Sequence, residues 1–235
     1  MEEIIVIILI LLTLLAILCL YKIFDKRGLY FSLVIFNLIA FVLTFKITYV
    51  FKMNINIGII PLISTFTILY IFLSKYNIKE TNNLLKITLY ANITTALILI
   101  VMNYFIPTIT ETISINMKGT FEHNYKILIV YPIITYLSQL TSIKLYGLLQ
   151  QIQDNVSISM ILTYIITGIL YTIVMYILSY INILQIPQSL FLGVSTYILG
   201  IAVTLINVIF INILVNKFPI RLSGEIIAPS WKLKT

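Results

Sequence analysis

The chain has 235 residues, 60% of them hydrophobic and only 10% charged, and its mean hydropathy is +1.08. These values lie far outside soluble averages and the apolar runs recur at bilayer length, which excludes a soluble domain and predicts an all-α integral membrane protein. The net charge of +7 comes from basic residues scattered between apolar runs, the loop asymmetry of a membrane protein rather than a nucleic-acid footprint, and a lone Cys19 excludes a disulfide framework within one chain.

Residues 4–20 form the first apolar run. Glu2 and Glu3 precede it and Lys22, Lys26 and Arg27 follow, the reverse of a signal peptide, so it reads as a retained helix. A second span covers residues 29–50, with Asn37 and Thr44 inside it and Lys46 one turn from its end. Lys46 reads either as a cavity residue or as a stem that snorkels to the interface. After a short connection at 53–58, Pro61 enters a third span ending near Ser74, along which Ser64, Thr67, Tyr70 and Ser74 recur every three or four residues. A polar, basic loop at 75–83 leads to a fourth span, 84–106, marked by Thr88, Asn92 and Thr95 and closed by Pro107. The connection 107–126 mixes Glu111, Lys118, Glu122, His123 and Lys126 with Ile113, Ile115, Met117 and Phe121, a pattern suited to the membrane surface.

The fifth span, 127–149, is the most informative. Thr135, Ser138, Gln139, Ser142 and Tyr146 fall on one helical face, where a lipid-facing helix has no use for them. Two readings stand: hydroxyl-mediated packing between helices, or the wall of a wet cavity, to which the four hydrogen-bonding positions of Gln139 add weight. The sixth span, 157–180, carries Thr163, Thr167 and Tyr171 at steps of four. The seventh, 188–215, carries Gly193, Thr196, Gly200, Thr204 and Asn207, a stripe read as close helix packing. The expected architecture is a bundle of seven transmembrane helices, divided into an N-terminal helix with its basic loop (1–27), a six-helix core (28–217) and a basic tail (218–235).

Ten basic residues gather on one side of this arrangement (Lys22, Lys26, Arg27, Lys75, Lys79, Lys86, Lys217, Arg221, Lys232 and Lys234) and four on the other (Lys46, Lys52, Lys118 and Lys126), which predicts an external N-terminus and a cytoplasmic C-terminus in the plasma membrane. All eight carboxylates fall in loops, ends or tail, so proton relays and cation coupling through intramembrane acids are not expected. One histidine and one cysteine far apart cannot by themselves build a metal site, and no nucleophile triad or phosphate-cradling loop is present. No enzyme activity, cofactor or metal is expected.

The run YLSQLTSIKLYGLL at 136–149 resembles a segment of the queuosine precursor transporter, or vitamin uptake transporter, family. GLYFSLVIFNLIAFVLTFKITYVF from Gly28 is similar to that family's early helix ending in a lysine, here Lys46, and YIFLSKYNIKE from Tyr70 keeps its Lys75, Tyr76, Lys79 and Glu80. Thr196 and Tyr197 match a late threonine-tyrosine pair. The family's intramembrane acids fall on Tyr70, Ser74, Ser142 and Tyr171, and a late lysine on Gly200.

The resemblance implies an importer of 7-deazaguanine bases, or of a related planar nucleobase- or vitamin-like solute, by facilitated diffusion. The solute would stack on Tyr70, Tyr171 or Tyr197 and be held through Gln139, with Ser138, Ser142, Thr67 and Lys46 completing the candidate substrate-binding set. The expected partners are the small planar solute, the lipid bilayer, and either further copies of the chain or an energising ATPase; nucleic acid is not among them. Loss of the acids leaves two alternatives, a substrate-capture subunit of an ATP-driven importer and a non-transporting scaffold or regulatory protein.

Overall fold

The computed structural model describes residues 2–76, 78–102, 125–152, 155–180 and 184–217. Among them the chain forms six helices and one β-hairpin: α1 Glu2–Leu43, β1 Ile47–Val50, β2 Met53–Asn56, α2 Ile59–Lys75, α3 Ile78–Met102, α4 Tyr125–Ile152, α5 Val156–Tyr180 and α6 Ile186–Lys217. Five of these helices, all but α2, are long and apolar enough to cross a membrane, so the chain is an all-α membrane bundle. The surface segment expected at 107–126 lies outside the described residues except for Tyr125 and Lys126, and the tail beyond residue 217 lies wholly outside them.

α1 joins the first two expected spans. Its 42 residues would measure about 63 Å if straight, twice the hydrocarbon thickness. The helix instead breaks at Asp25, whose backbone takes φ 49° and ψ −128°. Gly28 then lies directly on the Leu20 carbonyl, an approach that any Cβ at 28 would block. Ile17 of the first arm shares a core with Leu29, Leu33 and Phe36 of the second, and Glu3 reaches the backbone of Phe51. The arms therefore fold back on each other, and the seven expected crossings correspond to these two arms and α2–α6.

Two boundaries differ from the sequence expectation. The second span ends at Leu43, not Val50, because Ile47–Val50 pairs antiparallel with Met53–Asn56, Val50 opposite Met53. Phe51 and Lys52 make the two-residue turn with φ of 52° and 60°, positive at both central positions as a type I′ hairpin requires. Residues 78–83, expected as loop, are the first turns of α3, with Glu80 in the first turn, where a negative charge suits the positive end of the helix dipole.

The bundle is organised around α2. Every residue from Ile59 to Tyr70 is buried, and no large apolar residue of α2 is exposed, whereas α1 and α3–α6 all present outward-facing Ile, Leu, Val or Phe. At 17 residues α2 is only about 25 Å long, short of a full hydrocarbon layer. Protein rather than lipid surrounds it, so the mismatch carries no penalty, and the hairpin occupies the remaining depth at its N-terminal end. Backbone at that depth needs partners. Asn56 Nδ2 donates to the Thr44 carbonyl (2.6 Å), the Asn56 N–H donates to Thr196 Oγ1 (3.1 Å), and Ser195 Oγ donates to the Asn54 carbonyl (2.7 Å).

Candidate functional site

Polar side chains project from α2 in several directions, and each meets a partner on a neighbouring helix, α1, α4 or α6. The Ser64 hydroxyl lies 3.4 Å from that of Thr13 on the first arm of α1. Thr65 Oγ1 accepts from Gln139 Nε2 of α4 at 2.9 Å and itself donates to the Leu62 carbonyl. Thr67 Oγ1 accepts from Asn207 Nδ2 of α6 at 2.9 Å. One turn further, the Tyr70 and Ser142 hydroxyls pair at 2.6 Å, and the Tyr70 ring stacks on Tyr146 with centroids 4.8 Å apart. The spacing of Ser64, Thr67 and Tyr70 predicted a single polar face; the enclosure of α2 makes every face an interior one, which is why Thr65 also takes part.

The fifth-span stripe is interior as its periodicity required: Thr135, Ser138, Gln139, Ser142 and Tyr146 of α4 are all buried. Gln139 bridges three helices, since its amide nitrogen also lies 3.5 Å from Asn37 Oδ1 on α1. Tyr131 donates to the Asn37 carbonyl at 3.2 Å and stacks on Phe41 at 4.6 Å. Ser138 donates within its own helix, to the Thr135 carbonyl. Tyr171 is buried near Thr135 and Tyr131, yet Thr135 Oγ1 has no partner within hydrogen-bond distance.

Two of the expected residues stand apart. Tyr197 is half-buried on the seam between α5 and α6, where it donates to the Ile165 carbonyl at 2.7 Å and stacks on Tyr164. Lys46 is exposed: with α1 ending at Leu43 it falls in the turn before β1, outside the polar interior, and the cavity reading of this lysine is withdrawn.

Other residues enter that the sequence reading placed elsewhere or passed over. Asn207 belonged to a stripe read as packing, and Tyr164 adjoins the Thr163–Thr167 row without the regular spacing that would mark it. Gly193 and Gly200 of that stripe do pack closely, against Thr172 with Tyr176 and against Tyr164 respectively. Among the described residues, the buried polar side chains other than tyrosine are serine, threonine, asparagine or glutamine, and none is charged.

Charge collects instead at the bend of α1. Lys26 Nζ pairs with Glu80 at 2.5 Å and sits 4.7 Å above the Tyr76 ring, tying the bend to the start of α3. Burial there pushes the Tyr76 phenol above its ordinary pKa. Tyr76 and Glu80 are both among the residues that carry the family resemblance.

No family model, curated protein or solved structure matches the chain. What the arrangement offers chemically is a column of uncharged donors and acceptors through the middle of an apolar bundle.

Proposed function

We propose that this membrane protein is a transporter of a small, planar, uncharged solute, with queuosine precursors of the 7-deazaguanine type as the first candidates through the family resemblance. The observation that carries the reading is the polar column along α2: Asn37–Gln139–Thr65, Thr67–Asn207 and Tyr70–Ser142 follow one another through the bundle without a charged member. Each such group costs free energy when taken from water into an apolar surrounding, so a column of them is better matched to a polar solute than to a purely structural bundle. Uptake of radiolabelled 7-deazaguanine into cells lacking their own transporter tests the proposal. Accumulation no greater than in empty-vector cells would remove this substrate.

A second reading, a non-transporting scaffold, draws on the geometry of Gln139, whose amide nitrogen is directed to Thr65 and Asn37. The third, a capture subunit, is distinguished by an ATPase module that copurifies with the protein in mild detergent.

A further inference from the structure

Lys86 and Lys144 stand exposed on the outer surface of α3 and α4, two helices that pack on each other. Ile78 to Lys86 and Lys144 to Ile152 span the same eight steps, so each lysine lies about 12 Å from the end of its helix. The two ends belong to one side of the bundle, because Leu84 and Leu85, just before Lys86, share a buried core with Ile143, just before Lys144. It is the side on which Lys26 ties the α1 bend to Glu80.

Both lysines flank the α3–α4 seam. Glu80 reaches toward α1, and Lys86, six residues on, stands about 120° round the helix from it, away from α1. On α4, Leu140 packs against the shared core, and Lys144 follows it by four residues on the same face. Packed helix axes lie about 8–10 Å apart, which lets two long side chains reach one group between them. Around the lysines the surface is that of a lipid-facing wall: Ile87, Tyr90, Leu137 and Leu148 are all exposed.

Neither ammonium has an acidic partner within ion-pair distance among the described residues. α4 is about 42 Å long against a hydrocarbon layer of about 30 Å, so with the excess shared between its ends Lys144 lies within one lysine stem of the headgroup boundary. One turn nearer the surface, Gly147 has open space where a side chain would stand, and Asn83 is exposed, which leaves room for a headgroup and an amide to meet it.

We infer that Lys86 and Lys144 form a binding site for the phosphate of an anionic phospholipid, seated in the α3–α4 seam with its acyl chains along Tyr90 and Leu137. Two cations at one depth, without counter-charge and bordered by apolar side chains, match a ligand that is anionic at one end and hydrocarbon at the other. The site does not depend on the transport reading.

Thermal unfolding of the full-length protein in maltoside detergent, titrated with dioctanoyl phosphatidylglycerol, tests it. The melting temperature should rise saturably, and dioctanoyl phosphatidylcholine should raise it less; equal shifts would overturn recognition of charge. Lys86→Gln with Lys144→Gln should raise the half-saturating concentration at least about tenfold, whereas Lys22→Gln with Arg27→Gln should leave it within about twofold. Equal weakening by both pairs would make the effect a diffuse one of the basic side and overturn the site. Lys86→Arg with Lys144→Arg should retain binding, and its loss would make the lysines packing residues. Excess sodium phosphate at constant ionic strength should not compete; competition would make this a free-anion site and sink the lipid. In the unaltered protein, phosphatidylglycerol should slow acetylation of Lys86 and Lys144, followed by mass spectrometry, more than that of Lys22. Uniform slowing would refute the site without any variant having to fold.

Discussion

Gln139→Leu is the perturbation for which the structure permits the fullest reasoning. The substitution keeps the side-chain volume similar and deletes one good interhelical hydrogen bond, Nε2 to Thr65 Oγ1 at 2.9 Å, and one poor contact, to Asn37 Oδ1 at 3.5 Å. Thr65 still donates to the Leu62 carbonyl, so no donor is stranded there. Interhelical polar contacts in membranes average roughly 0.6 kcal/mol and reach about 1.7, so the expected loss is about 0.5–2 kcal/mol. In a chain of this size that lowers the melting temperature by about 1–8 °C. Far-UV circular dichroism in lipid nanodiscs measures it, and a double-mutant cycle with Thr65→Val isolates the pair. Strictly additive single losses, or a loss above about 4 kcal/mol, would refute the bridge as described, the first by denying the Gln139–Thr65 contact and the second by requiring partners beyond it.

Gly200→Ala should destabilise by about 1–3 kcal/mol, because its methyl group meets the Tyr164 hydroxyl, and Tyr164→Phe in the same chain should recover part of the loss in thermal unfolding. Lys52→Gly relieves a positive φ of 60° in the hairpin turn and should raise stability by about 0.5–1 kcal/mol, a gain that differential scanning calorimetry can register. Lys26→Met should cost no more than about 1 kcal/mol, since its ion pair with Glu80 is half exposed, and the effect should shrink further in high salt. For the topology, in a Cys19→Ser background, Lys52→Cys should react with an impermeant maleimide in intact cells while Lys22→Cys reacts only after permeabilisation; the reverse pattern would invert the orientation read from the basic residues.

The membrane class, the approximate spans and the interior face of residues 127–149 are determined by the sequence alone. Hydropathy and helical spacing are local quantities, and a row such as Thr135, Ser138, Gln139, Ser142 and Tyr146 has few places to go but inward. Burial of that row does not reveal its partners, however, because partners come from distant parts of the chain. Asn37 lies 102 residues from Gln139, and Asn207 lies 140 from Thr67. Tertiary structure decided that a short helix, 59–75, and not the longer polar one, occupies the centre. It also decided that residues 47–56 leave the helix for a hairpin, which frees Lys46 from the interior and places Asn56 within it. Enclosure is a property of the whole bundle: α2 is short and apolar enough to be mistaken for an ordinary span, and only its neighbours on every side turn Ser64, Thr65, Thr67 and Tyr70 into four separate interior contacts.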